Sequence, residues 1–133
     1  MIVVDASAII ELLLQTELGS RVEDRLYRDD EDLHAPHLLD VEVLSALRHL
    51  VLRGELRTAR AAEAIEDLAL LRMVRHGHID LATRIWELRQ NFTSYDAVYV
   101  ALAESLGAPV VTCDRPLGGA AGHSARIDVI EES

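Results

Sequence analysis

Ser94-Tyr95-Asp96-Ala97-Val98-Tyr99-Val100-Ala101-Leu102-Ala103-Glu104-Ser105-Leu106-Gly107-Ala108-Pro109-Val110-Val111-Thr112-Cys113-Asp114 is the stretch that sets the fold class. Ser94 supplies a helix-start signal, Val98, Ala101 and Leu102 recur at helical spacing, and Gly107 stands where the helix should stop. Pro109 to Cys113 then reads as a buried strand with Asp114 directly after it. The chain opens in a related way: the β-branched run Ile2-Val3-Val4 ends at Asp5, and Ala6-Ser7-Ala8 leads into an apolar helical stretch to Leu14. In each case an acid is predicted at the carboxyl end of an apolar strand.

Between these two units helical patterns dominate. Thr16 is a candidate cap for a helix carrying Leu18, Val22 and Leu26, followed by the acidic turn Asp29-Asp30-Glu31-Asp32. Leu33 to Pro36 reads as a short extended segment, and Leu39, Val43, Leu47 and Leu50 mark one face of a helix that runs towards Gly54 and carries Glu42. Thr58 is expected to cap the next helix, and Ile79 to Leu88 to form another. Gly118 to Gly122 is loop-like, and Ile127 to Ile130 predicts a last strand. Strands alternating with helices predict an α/β protein, a three-layer α/β/α sandwich around a mainly parallel sheet, with ligands gathering beyond the strands' carboxyl ends.

At 133 residues a single domain spanning 1–133 is expected. The apolar runs are too short to span a membrane, and Met1 leads into Ile2-Val3-Val4 without a basic segment or cleavage site, so the expected location is the cytoplasm. Cys113, the one cysteine, reads as a buried inert thiol. Thirteen basic residues against 23 acidic ones give a formal net charge of −10, which opposes loose binding of nucleic acid. Every basic residue except histidine is Arg; without Lys, any mechanism needing a lysine amine is excluded. That removes phosphatases of the haloacid-dehalogenase type and response-regulator receivers, which also place acids at strand ends.

Four acids stand apart by position. Asp5 and Asp114 follow strands, Asp96 lies in the first turn of a helix, and Glu42 sits between Val41 and Val43. Like charges gathered in such places need a cation, and an all-oxygen set suits Mg²⁺ or Mn²⁺. The chemistry that follows is metal-assisted hydrolysis of a phosphodiester by water. The histidines are scattered, and His76-Gly77-His78 reads as a solvated turn. Trp86 reads as core or dimer surface before a base-stacking platform, and Arg115 as a surface ion pair or a phosphate contact.

Val3 to Ala8, Pro36 to Arg48 with Glu42, Tyr95 to Ala103, and Val110 to Leu117 together resemble the PIN-domain family, and within it the VapC-type toxins of bacterial toxin–antitoxin pairs. The resemblance implies that Asp5, Glu42, Asp96 and Asp114 are the metal-binding catalytic acids, with Asp114 open between direct ligand and support, and that Ser7 and Thr112 are hydroxyls orienting them. It also implies an RNA substrate, a homodimer and a cognate antitoxin. A PIN-like interaction module without catalysis is the alternative, against which stands the presence of all four acids.

Overall fold

The computed structural model describes residues 1–132. Five strands form one sheet in the order β3-β2-β1-β4-β5, and every pairing is parallel. They are β1 (Ile2–Val4), β2 (Leu33–Pro36), β3 (Val74–His76), β4 (Val110–Thr112) and β5 (Ile127–Val129). The helices are α1 (Ala6–Leu14), α2 (Glu17–Tyr27), α3 (Leu38–Leu52), α4 (Thr58–Leu70), α5 (Ala82–Glu87), α6 (Ser94–Leu106) and α7 (Arg115–Gly119), with a 3₁₀ turn at Ile79–Leu81. Helices α1 to α4 pack among themselves and α5 packs on α6. Right-handed crossovers put those two groups on opposite faces, giving the expected three layers.

Burial explains the composition. Strands β1 and β4 are central and covered on both sides, so Ile2, Val3, Val4, Val110 and Val111 are all fully buried. Helix α6 is buried continuously from Ala97 to Ala103, which accounts for its near-absence of charge between Asp96 and Glu104. Its end follows the expected device: Gly107 adopts φ 64°, a left-handed conformation that glycine adopts without strain, and its N–H returns to the carbonyls of Ala103 and Glu104. At Gly19 a different constraint operates. A Cβ there would lie 2.0 Å from the carbonyl oxygen of Glu11, so α1 and α2 approach closely only because position 19 has no side chain.

Several local expectations change. Thr93, not Ser94, caps α6, its side chain accepting the Asp96 N–H. Two adjacent hydroxyls made either register plausible. Thr58 is the first residue of α4, whose cap Arg57 gives no side-chain bond. Ile79 to Leu88 is a 3₁₀ turn followed by the six-residue α5. His76 belongs to β3 rather than to a turn, and its Nε2 lies 2.8 Å from Nδ1 of buried His34 on β2. Trp86 is 66% exposed and so is not core. Cys113 is only half-buried, yet burial pushes its thiol up to about 12, so it stays protonated and unreactive near neutral pH. Among the described residues no helix is long and apolar enough to cross a membrane.

Candidate active site

The chain runs outward from β1 to β2 and β3, then returns to the other side of β1 for β4 and β5. The reversal lies between β1 and β4, and the crevice at their carboxyl ends is where such sheets bind ligands. Asp5 follows β1 and Asp114 lies two residues beyond β4. The sheet topology therefore brings together two acids that are 109 positions apart in the chain.

Asp5 is 7% exposed and is the cap of α1. Its Oδ1 accepts the Ser7 hydroxyl at 2.7 Å and the Ala8 N–H at 3.1 Å, while Oδ2 accepts the Thr112 hydroxyl. The donors are themselves fixed: Ser7 Oγ accepts the N–H of Cys113 and Thr112 Oγ1 accepts that of Asp114, both at 2.9 Å. These bonds tie the start of α1 to the segment after β4. Oδ1 has both lone-pair directions engaged, leaving the free acceptor capacity of Asp5 on Oδ2. Ser7 and Thr112 thus each donate a hydroxyl hydrogen bond to Asp5.

Glu42 projects from α3 and accepts the phenolic hydroxyl of Tyr99 at Oε1, 2.6 Å away. Asp96 occupies the third position of α6, where unpaired backbone N–H groups favour negative charge. Asp114 precedes α7. Burial raises the pKa of Asp5 above the usual carboxylate range, the hydrogen bonds oppose that rise, and the charge of Asp114 adds to it. Burial also raises Glu42, opposed by Tyr99 and reinforced by Asp5 and Asp96. Asp96 is raised by burial and then by Asp114. These mutual effects link all four acids into one negative cluster. None has an ion-pair partner among the described residues. In this arrangement no three acidic, histidine or cysteine side chains among the described residues stand close enough to enclose an ion. The acids sense one another as charges without forming a closed shell.

Arg115 forms an exposed ion pair with Glu131 at 3.2 Å, one of the two roles left open for it. Tyr99 is the site residue the sequence reading missed. Its signal was a phenol three positions after Asp96, hence on nearly the same helical face, within the apolar run Ala97 to Ala103.

The PIN domain family model matches residues 2–121. Two relatives from Mycobacterium tuberculosis match over 130 residues: Ribonuclease VapC12 at 39% identity, covering 98% of this chain and 99% of the relative, and Ribonuclease VapC9 at 40%, covering 98% of each. Among solved structures, PAE2754 from Pyrobaculum aerophilum superposes with a TM-score of 0.72 at 26% identity, covering 96% of this chain and 83% of that one. VapC20 of M. tuberculosis, described as a sarcin-ricin loop cleaving toxin, gives 0.70 at 15% identity, covering 93% and 97%, and is similar in fold. The sheet order, the acids gathered at its reversal point and these matches lead to one conclusion: the chain belongs to the PIN-domain family, in its VapC group.

Proposed function

We propose that the chain acts as a single domain and is a metal-dependent endoribonuclease, the toxin of a toxin–antitoxin pair, working in the cytoplasm. The carrying observation is the cluster of Asp5, Glu42, Asp96 and Asp114 at the sheet's reversal point, charged alike and without an ion-pair partner among the described residues. Relatives of about 40% identity named as ribonucleases support RNA as substrate. The donors are all carboxylate oxygens, a set that fits Mg²⁺ or Mn²⁺ rather than a softer ion. When bound, such an ion neutralises the cluster, polarises the phosphodiester and makes water a competent nucleophile at neutral pH.

The chain's own residues do the rest. Asp5 is immobilised by Ser7, Thr112 and the Ala8 N–H, so it offers Oδ2 in a fixed direction. Asp96 stands at a helix start that favours negative charge, and the charge of Asp114 acts on both Asp5 and Asp96. With no Lys in the chain and a thiol held protonated, a covalent intermediate on the protein has no candidate among these groups. In this reading water is the attacking group. The products should carry 5′-phosphate and 3′-hydroxyl ends, and chelation should stop the reaction reversibly. Mapped cleavage ends provide the test, because a 2′,3′-cyclic phosphate would mean attack by the RNA's own hydroxyl and would overturn this mechanism.

The antitoxin should place a basic side chain, Arg by preference, among the four acids, competing with metal through paired charge-assisted bonds. An accompanying amphipathic helix has no seat at Leu39 and Val43, since both are fully buried. A better seat is the groove between α3 and α4, about 230 Å³, lined by Leu44, Leu47, Leu52 and Ile65. A neighbouring small protein that neither co-purifies with this chain nor suppresses cleavage would sink the toxin assignment and leave the nuclease assignment standing. For the homodimer, the groove of about 330 Å³ holding Trp86 and Tyr95 is the natural face. Its lining carries no Asp, Glu or Arg, so two chains of net charge −10 meet there without like-charge contact. Trp86→Glu should convert a dimer to a monomer in sedimentation analysis.

A further inference from the structure

We infer that Tyr99 is a positioning residue that holds the Glu42 carboxylate in the cluster without neutralising it. The inference rests on the proposed reading of Glu42 as part of a cation site. Tyr99 is 2% exposed, deep in α6, and its hydroxyl donates to Glu42 Oε1 at 2.6 Å. That length is typical of an O–H···O⁻ bond to an ionised acceptor. It is the one side-chain hydrogen bond Glu42 receives among the described residues.

Glu42 needs such a tie more than its neighbours do. Asp5 is short and grips three donors, whereas Glu42 has one more rotatable bond and is repelled by both Asp5 and Asp96. Left free, its carboxylate would swing towards solvent, where repulsion is weaker. The Tyr99 hydroxyl fixes Oε1 and leaves Oε2 without a side-chain donor among the described residues. Tyr99 is also one helical turn from Asp96, so a single rigid helix sets the position of one acid directly and of another through the phenol.

The donor type matters. An Arg at this place would hold Glu42 as firmly but would cancel the charge a cation requires. Ser7, Thr112 and Tyr99 are all neutral hydroxyl donors, which orient acids while leaving them negative.

The test is Mn²⁺ binding by isothermal titration to the full chain, with no RNA present. Tyr99→Phe keeps the ring and removes the hydroxyl. Mn²⁺ affinity should fall roughly 10-fold, the lower end of what loss of a ligand's hydrogen-bond partner costs, with the native amide NMR spectrum retained. Because Tyr99 acts through Glu42, the same change in a Glu42→Ala background should leave Mn²⁺ affinity unaltered. Wild-type affinity in Tyr99→Phe would overturn the inference. So would an equal loss in both backgrounds, or loss of the native spectrum, since either means that the hydroxyl serves the fold. If the wild-type chain itself fails to bind Mn²⁺, the cation-site reading falls first, and the positioning role falls with it.

Discussion

Asp5 and Glu104 are two shielded acids in one domain, and they are treated in opposite ways. Glu104 on α6 receives Arg84 Nε and a terminal guanidinium nitrogen at 2.7 and 2.9 Å, with the N–H and hydroxyl of Ser124 adding two more bonds. Arg84 leads the forces that hold its carboxyl down to about 2. Asp5 receives only neutral donors, stands among other acids, and is raised by burial. Charge is matched where the acid joins α5, α6 and the segment before β5, and left unmatched at the sheet's reversal point. The first arrangement contributes stability, while the second costs it, the pattern that the proposed ligand site requires.

The largest expected effect comes from breaking the unmatched end. Asp96→Asn preserves shape and removes one charge. RNA cleavage in Mg²⁺ or Mn²⁺ should fall by at least about 100-fold, the scale on which loss of one electrostatic group in an active site is felt. In chelator its urea midpoint should equal or exceed the wild type's, since a repulsion has been relieved. Full activity in this variant would remove Asp96 from the site.

Breaking the matched end should give the reverse pattern. Arg84→Ala leaves Glu104, 12% exposed, without its cation. Stability in urea should drop by about 1 to 2 kcal/mol after solvent screening of the partly exposed Arg84, while cleavage per folded molecule stays near wild type. A variant that keeps its stability but loses activity would mean the two ends are not separable.

Acid provides a smaller and subtler contrast. Glu104 titrates at about 2 in the folded chain against 4.5 as its ordinary value, so its contribution is present above pH 4.5 and disappears as pH falls towards 2. The stability gap between wild type and Arg84→Ala should therefore close across that window. Asp5, Glu42 and Asp96 have raised values, so their ionisation costs stability as pH rises and protonation relieves it. The gap between wild type and Asp96→Asn should accordingly open with rising pH. Chemical denaturation in chelator at several pH values measures both slopes: wild-type stability minus that of the variant should rise with pH for Arg84→Ala and fall with pH for Asp96→Asn, and slopes of the same sign would contradict the comparison.

Much of this was legible in the sequence, for physical reasons. Val3-Val4-Asp5 and Val110 to Asp114 are apolar because the central strands of a parallel sheet are covered on both faces, so the acids stand out beyond them. Strand β3 was missed because Val74-Arg75-His76 is a three-residue edge strand, charged and half-exposed, with no periodicity to detect. The hydroxyl lattice was legible only as residue types, because Ser7 meets the Cys113 N–H across 106 positions and only the sheet order makes them neighbours. The same holds for Arg84 with Glu104, two ordinary surface residues by sequence that one turn between α5 and α6 converts into a clamp. Tyr99 was hidden by its own burial: in an apolar helix an aromatic ring reads as core, and its hydroxyl partner lies 57 positions away on α3.

The central claim is that the unmatched acids are completed by a divalent cation, and Mn²⁺ titration followed by thermal unfolding tests it most directly. In chelator, Asp96→Asn should unfold at or above the temperature of wild type. As Mn²⁺ is added the wild-type unfolding temperature should climb with the logarithm of concentration, because the ion binds only the folded chain. The variant should respond far less, so that wild type overtakes it. A wild-type chain indifferent to millimolar Mn²⁺, or a variant that responds as strongly, would contradict a cation site built from Asp5, Glu42, Asp96 and Asp114.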